Sequence, residues 1–159
     1  MSLSGHQSAV AKSMDWLTPP EILQPLGVFD LDPACPSCMP WETARKHLTA
    51  LECGIASEWV GRVWLNPPFG KEARVWLQKL AEHGNGIALI PARTETQMFF
   101  ESVWGKADSI LFIEGRPHFY RVDGTRARFN SGAPICLVAY GEENDRALAF
   151  SGLGKWVRL

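Results

Sequence analysis

The sequence predicts an α/β domain with a doubly wound, mixed and mainly parallel sheet covered by helices on both faces. From Asp15 onward, short apolar runs alternate with amphipathic stretches, the pattern of βαβ units. Three of the apolar runs end in loops of unusual composition: Asp32-Pro33-Ala34-Cys35, Asn66 to Phe69, and Pro91 to Thr94. Ligands in such sheets bind beyond the carboxyl ends of the strands, so these loops are expected along one rim. At 159 residues and 46% hydrophobic, the chain is long enough for one core and too short for two domains.

Met1 to about Ser13 is small and polar without periodicity and reads as a flexible tail, leaving 14–159 as the folded domain. A helix is expected from Pro20 to Leu26, with Thr18 as its N-cap and prolines in its first turn. Val28 to Asp32 reads as a strand and Trp41 to Leu51 as a helix. Arg62 to Leu65 is a short apolar strand. Glu72 to His83 is amphipathic, with Val75, Leu77, Leu80 and Ala81 near one face and Gly84 as its stop. Ile87 to Ile90 reads as a strand, Thr96 to Trp104 as a helix and Ser109 to Ile113 as a strand. Arg126 to Phe129 and Ile135 to Tyr140 read as a later antiparallel pair. The chain shows no internal repeat and no low-complexity block.

A charged content of 21% describes an ordinary soluble protein. No apolar run is long enough to span a bilayer, and the N-terminus lacks a basic region followed by an apolar core. A cytoplasmic location follows, with Cys35, Cys38, Cys53 and Cys136 reduced. The net charge of -1 argues against a protein whose main task is clinging to nucleic acid. Brief visits to DNA remain compatible with it, because local patches outweigh the sum.

Asn66-Pro67-Pro68-Phe69 carries the most chemistry. An Asn amide oxygen and a Pro carbonyl lie side by side at a strand end, and neither proline offers an N–H to occupy them. An exocyclic NH2 held by two acceptors loses conjugation with its ring, and its lone pair turns toward an electrophile. Phe69 can stack on that ring, and no strong base is needed. The bland alternative is a plain strand-to-turn exit.

Other features divide in the same way. Asp32 is either a ligand contact or an acid capping the next turn, and Asp30 alternates with it along the strand. Cys35-x-x-Cys38, with His47 and Cys53, has the outline of a zinc site, but a single C-x-x-C with irregular partners favours ordinary thiols; no metal is expected. Gly115 to Phe129 holds Arg116, His118, Arg121, Arg126 and Arg128 against only Asp123 as an acid beyond Glu114, and reads as a phosphate-contacting loop with Phe119 and Tyr120 available for stacking, the bland alternative being a solvated hairpin. Arg93 follows a strand end on the same rim. The seven tryptophans read as packing residues, with Trp16 and Trp59 nearest the expected site.

Asn-Pro-Pro-Phe resembles the catalytic motif of S-adenosylmethionine (SAM) dependent amino-methyltransferases, which modify adenine N6, cytosine N4 or a glutamine side chain. From about Asp15 to Gly141 the chain is similar to the phage-type DNA adenine-N6 methyltransferases. The likeness runs through Asp15 to Ile22, Phe29 to Cys35, Gly54 to Trp59 with Gly61 to Trp64, Ile90 to Thr96 with Phe99, Phe112 to Arg116 with Phe119, and Phe129 to Pro134, in that order. It implies a Rossmann-like SAM-dependent methyltransferase fold and methyl transfer to adenine N6 in DNA, in a phage or prophage protein of a bacterial host. It also implies that Thr18 and Pro19 lie near the SAM carboxylate, and that Asp32 or Asp30, with Pro33 and Ala34, meets the cofactor's methionine end. Glu42 and Glu52 both qualify as the acid gripping the ribose. Where related loops continue Gly-x-Gly, Pro36-Ser37-Cys38 stands here, so this loop takes another shape.

Asn66 and Pro67 then orient the amine, Pro68 stiffens the loop and Phe69 stacks on a flipped base. The expected partner is DNA, with a second copy of the chain or a separate specificity protein supplying target choice, and no membrane. Two rival readings stand beside this one. One is a protein glutamine methyltransferase using the same acceptor pair. The other is a non-catalytic nucleic-acid-binding remnant.

Overall fold

Buried strands dominate the middle of the chain, and their alternation builds two cores. The structure, a computed structural model, describes residues 16–49 and 52–159. The expected tail and most of the opening stretch before Trp16 lie outside the described residues. The order of elements is α1 (Pro20–Leu23), a 3-10 turn (Gln24–Leu26), β1 (Leu31–Asp32), β2 (Lys46–His47), β3 (Val63–Leu65), α2 (Ala73–His83) and β4 (Gly86–Pro91). Then follow α3 (Gln97–Ser102), β5 (Ser109–Ile113), β6 (Ile135–Tyr140), α4 (Glu142–Phe150) and β7 (Gly154–Arg158). One mixed sheet takes them in the order β2-β1-β3-β4-β6-β5-β7. β2, β1, β3 and β4 are parallel; β6 runs antiparallel between β4 and β5, and β7 antiparallel at the edge beside β5.

The chain forms a single compact α/β domain. Val63, Leu65, Ala88, Ile90, Cys136 and Val138 face Leu77, Leu80, Phe99 and Val103 of the α2–α3 side. Trp64, Ile87, Leu89, Leu137 and Ala139 face Ile22, Leu23, Leu26 and Leu148 on the other side. Strands buried on both faces read as continuous apolar runs, which is why β4 and β6 stand out in the sequence. Gly84 ends α2 with φ 71°, and its N–H caps the Leu80 carbonyl. Among the described residues no helix is long and apolar enough to cross a membrane.

Several expected elements differ. Residues 41–49 are not helical: the Thr43 and Ala44 N–H groups go to the His47 ring, and Lys46 and His47 pair with Leu31 and Asp32. Thr18 does not cap α1, whose N-cap is Pro19 without a side-chain cap. Arg126 to Phe129 is no strand partner of β6, whose neighbours are β4 and β5; a lone bridge joins Arg126 to Tyr120. Val75 is exposed rather than part of the buried face of α2, which is formed by Ala73, Leu77 and Leu80. α4 and β7 were not expected at all.

The amino edge of the sheet is tied by buried polar groups. Arg62 donates from Nε to Asn144 Oδ1 at 2.6 Å and from Nη1 to the Val28 carbonyl at 3.1 Å, with its guanidinium 4.2 Å from the Phe29 ring centroid. Burial lowers the Arg62 pKa, and Glu143 and Asp30 oppose that shift. Asn144 Nδ2 in turn donates to the Tyr140 carbonyl and to Asn85 Oδ1.

Candidate active site

β1 has β2 on one side and β3 on the other, so the chain leaves it in one direction and returns on the opposite flank. Such a switch point opens a crevice beyond the carboxyl ends of the two central strands. The loops that follow Asp32 and Leu65 leave the sheet at that end of β1 and β3. The three rim loops expected from the sequence therefore share one edge, because β1, β3 and β4 are parallel.

Asn66 is half-buried and its amide is oriented from behind. Nδ2 donates to the Trp16 carbonyl at 3.0 Å and to Thr18 Oγ1 at 3.3 Å. A carbonyl only accepts, so the contact with Trp16 fixes which end of the amide is nitrogen. Oδ1 has no donor among the described residues and is left as a free acceptor. Pro67 is buried, Pro68 half-buried, and Phe69 is 39% exposed. The Phe69 ring meets Phe119 edge-on, with centroids 6.2 Å apart.

Residues 16–18 are pinned in turn. Leu17 and Tyr120 exchange both backbone bonds, at 2.8 and 3.0 Å. Thr18 and Pro19 are buried, and the Thr18 hydroxyl accepts from Asn66. Trp41 packs edge-on against Tyr120 at 5.1 Å, and its Nε1 is buried without a partner among the described residues. The loop after β1 thus crosses to the basic segment where a helix was expected. Trp41 and the Trp16 carbonyl were missed as site elements, because a backbone acceptor leaves no mark in side-chain chemistry.

The acids take structural roles. Asp32 is buried; Oδ1 accepts the Ala34 N–H at 3.1 Å and Oδ2 accepts the Thr43 hydroxyl. Burial pushes its pKa up to about 6, against the Thr43 and Ala34 hydrogen bonds and the nearby His47. It caps its own turn, the blander of the two readings. Asp30 lies toward the amino edge, where Oδ2 accepts the Arg62 N–H at 2.8 Å and Oδ1 lies 3.4 Å from Arg45 Nη1. It is on the wrong edge for a cofactor at the rim. Pro33 is buried and Ala34 half-buried. Gly54 packs so closely on that turn that a Cβ would sit 1.8 Å from the Pro33 carbonyl oxygen. Glu52 is exposed; Oε2 accepts the Thr49 N–H at 2.9 Å, and Oε1 is without a partner among the described residues. Glu42 lines a separate shallow groove with Leu23, Gln24 and Arg45, away from residues 66–69.

Cys35 is buried, donates to the Pro36 carbonyl, and has its thiol pKa pushed up to about 11, chiefly by burial and then by Asp32 and Glu52. A thiol held protonated is a poor metal ligand. His47 Nε2 accepts the N–H groups of Thr43 and Ala44. Arg93, Arg116, Arg121, Arg126 and Arg128 are all exposed, and none lies within ion-pair distance of a carboxylate among the described residues. Arg116 donates to the Gly132 carbonyl at 3.2 Å. No family model, curated protein or solved structure matches the chain.

Proposed function

We propose that the protein transfers a methyl group from SAM to the exocyclic N6 of adenine in DNA, through a methyltransferase variant of the doubly wound fold. The observation that carries this reading is the orientation of Asn66. Its nitrogen is consumed by Trp16 and Thr18, which leaves the oxygen as the free acceptor at the carboxyl end of β3, beside the point where the strand order reverses. An acceptor held this way receives one hydrogen of a planar amine, and the Pro67 carbonyl supplies the second acceptor. The amine nitrogen then loses conjugation and attacks in line. A new C–N bond forms as the methyl–sulfur bond breaks, and the spare proton leaves to solvent. Catalysis is mainly positioning. Phe69, partly exposed and braced by Phe119, supports the base.

The residues fit the cofactor in outline. Ala34 is half-buried in the loop that leaves β1, and Glu52, exposed and with one oxygen free among the described residues, suits a pair of ribose hydroxyls. Asp32 shapes the loop rather than gripping a ligand. When bound, SAM supplies an electrophilic methyl group. The unpaired arginines favour nucleic acid over a protein glutamine as substrate.

Two observations favour a second reading, the non-catalytic nucleic-acid-binding remnant: no helix lies between β1 and β2, and the acid that ends β1 is spent on its own turn. Incubation with tritiated SAM and unmethylated DNA, followed by nucleoside analysis, separates the two. Label in N6-methyladenine, lost in Asn66→Ala while calorimetric SAM binding persists, is the expected outcome. No label together with no heat of SAM binding supports the remnant.

A further inference from the structure

Segment 114–134 joins β5 to β6, and since these strands are antiparallel both of its ends lie on the carboxyl rim. Beyond the Leu17–Tyr120 pair, the Ala127 N–H donates to the Phe119 carbonyl and the Ser131 N–H to the Pro117 carbonyl, both at 2.8 Å. Phe119 connects this segment to the Asn66 loop through Phe69.

Phe129 stands apart from the buried aromatics. It is 74% exposed, and the Arg128 guanidinium lies 5.4 Å from its ring centroid. Arg116, Arg121 and Arg126 are exposed on the same segment, with no carboxylate in ion-pair range among the described residues. Of its two acids, Asp123 is occupied by the N–H and hydroxyl of Thr125, and Glu114 lies exposed at the start of the segment, directly after β5. A flat ring kept in water beside one guanidinium, on a segment that carries three more exposed arginines, complements an unpaired nucleotide strand, whose bases offer faces and whose phosphates offer charge. A duplex hides its base faces and is read at groove edges by an inserted helix or two-stranded ribbon. Segment 114–134 contains no helix, and its ribbon is only a short hairpin, the Arg121–Thr125 and Phe119–Ala127 backbone bonds around the Tyr120–Arg126 bridge, with Tyr120 tied to Leu17.

We infer that this segment is a binding surface for single-stranded DNA, with Phe129 as the stacking platform that leads an unpaired adenine to Asn66. The destination of the strand rests on the methyl-transfer reading; the binding itself does not. An unpaired base also spares the protein the cost of extracting one from a duplex.

The test is fluorescence anisotropy on the full chain without cofactor. The probes are a labelled single strand of about 12 nucleotides, a duplex of the same sequence, and the matching single-stranded RNA. The single-stranded DNA should bind at least roughly tenfold tighter than the duplex. Phe129→Ala should weaken single-strand binding by about 5- to 100-fold and leave duplex binding unchanged, with Phe129→Trp restoring it. Thermal melting of the variants verifies folding. Equal or tighter duplex binding, or an unaffected Phe129→Ala, overturns the proposal, and tighter RNA binding overturns the assignment to DNA. Strand preference without methyl transfer would retire the enzymatic reading and keep this surface. Methyl transfer with duplex preference would do the opposite.

Discussion

Asn66→Asp puts the orientation of the amide to a direct test. The substitution keeps the shape of the side chain and replaces its one donor with an oxygen. That oxygen would face the Trp16 carbonyl at the 3.0 Å now occupied by an N–H···O bond. Thr18 can rotate its hydroxyl to donate, but the Trp16 carbonyl cannot. A lost neutral hydrogen bond costs about 1 kcal/mol, and an acceptor left unpaired adds about 1–3 kcal/mol. Because Asn66 and Trp16 are only half-buried, the lower part of that range applies, about 2–3 kcal/mol in all. For a chain of this size each kcal/mol lowers Tm by roughly 2–4 °C. Protonation restores the donor, so an acid at this position has its folded pKa raised above its unfolded value of about 3.9. The sign follows: the penalty is absent below the unfolded pKa and complete once pH passes the folded one. Thermal unfolding of both proteins from pH 4 to 8 should show curves that converge in acid and separate toward neutrality. A gap independent of pH, or no gap, would refute the proposed amide orientation.

Two further substitutions probe the same rim. Thr18→Val, which removes the second acceptor for Asn66 Nδ2, should lower kcat by about tenfold, the worth of one hydrogen bond, with the KM for SAM unchanged. Thr18→Ser should restore it in steady-state assays, and equal behaviour of the two variants would reduce Thr18 to a packing residue. Asp32, raised to about 6 by burial, favours its protonated form in the folded protein. Its contribution to stability is therefore present below the unfolded carboxylate pKa and lost as pH rises through 6. Relative to Asp32→Asn, the wild type should lose about 2–3 kcal/mol between pH 4 and 7, measured by denaturant unfolding; parallel stability profiles would contradict the burial argument.

What the sequence revealed depended on how locally each feature is encoded. β5 and β6 match their expected bounds because both faces of each strand pack against side chains, leaving an apolar run with no interruption. β2 was invisible because Lys46-His47 has no strand pattern of its own; its pairing is imposed by Leu31 and Asp32. α4 escaped notice because its buried positions include Asn144 and Asp145, which break the apolar period. In the site, Asn66 was legible as a motif. Its tether to Thr18 was not, since that bond spans 48 positions and exists only once the sheet order brings the two segments together. The arginines of segment 114–134 were legible as a cluster, and the antiparallel course of β6 sets both ends of that segment on the rim.

The two edges of the sheet are stabilised by different means, and this decides which substitutions separate function from folding. At the amino edge, Arg62, Asn144, Asn85 and the Tyr140 carbonyl form a buried polar network; removing one member strands the others without water. At the carboxyl edge, loops are tied mainly by backbone bonds such as Leu17–Tyr120 and Phe119–Ala127, which side-chain substitutions leave in place. Exposed rim residues such as Phe129 can therefore change binding without unfolding the protein. Asn66 is the exception on that rim, because its nitrogen belongs to the scaffold and its oxygen to the proposed chemistry. Asn66→Ala removes both, whereas Asn66→Asp keeps an outward oxygen and removes only the scaffold half. Comparing the two assigns any loss of methyl transfer to a missing acceptor or to a misplaced one.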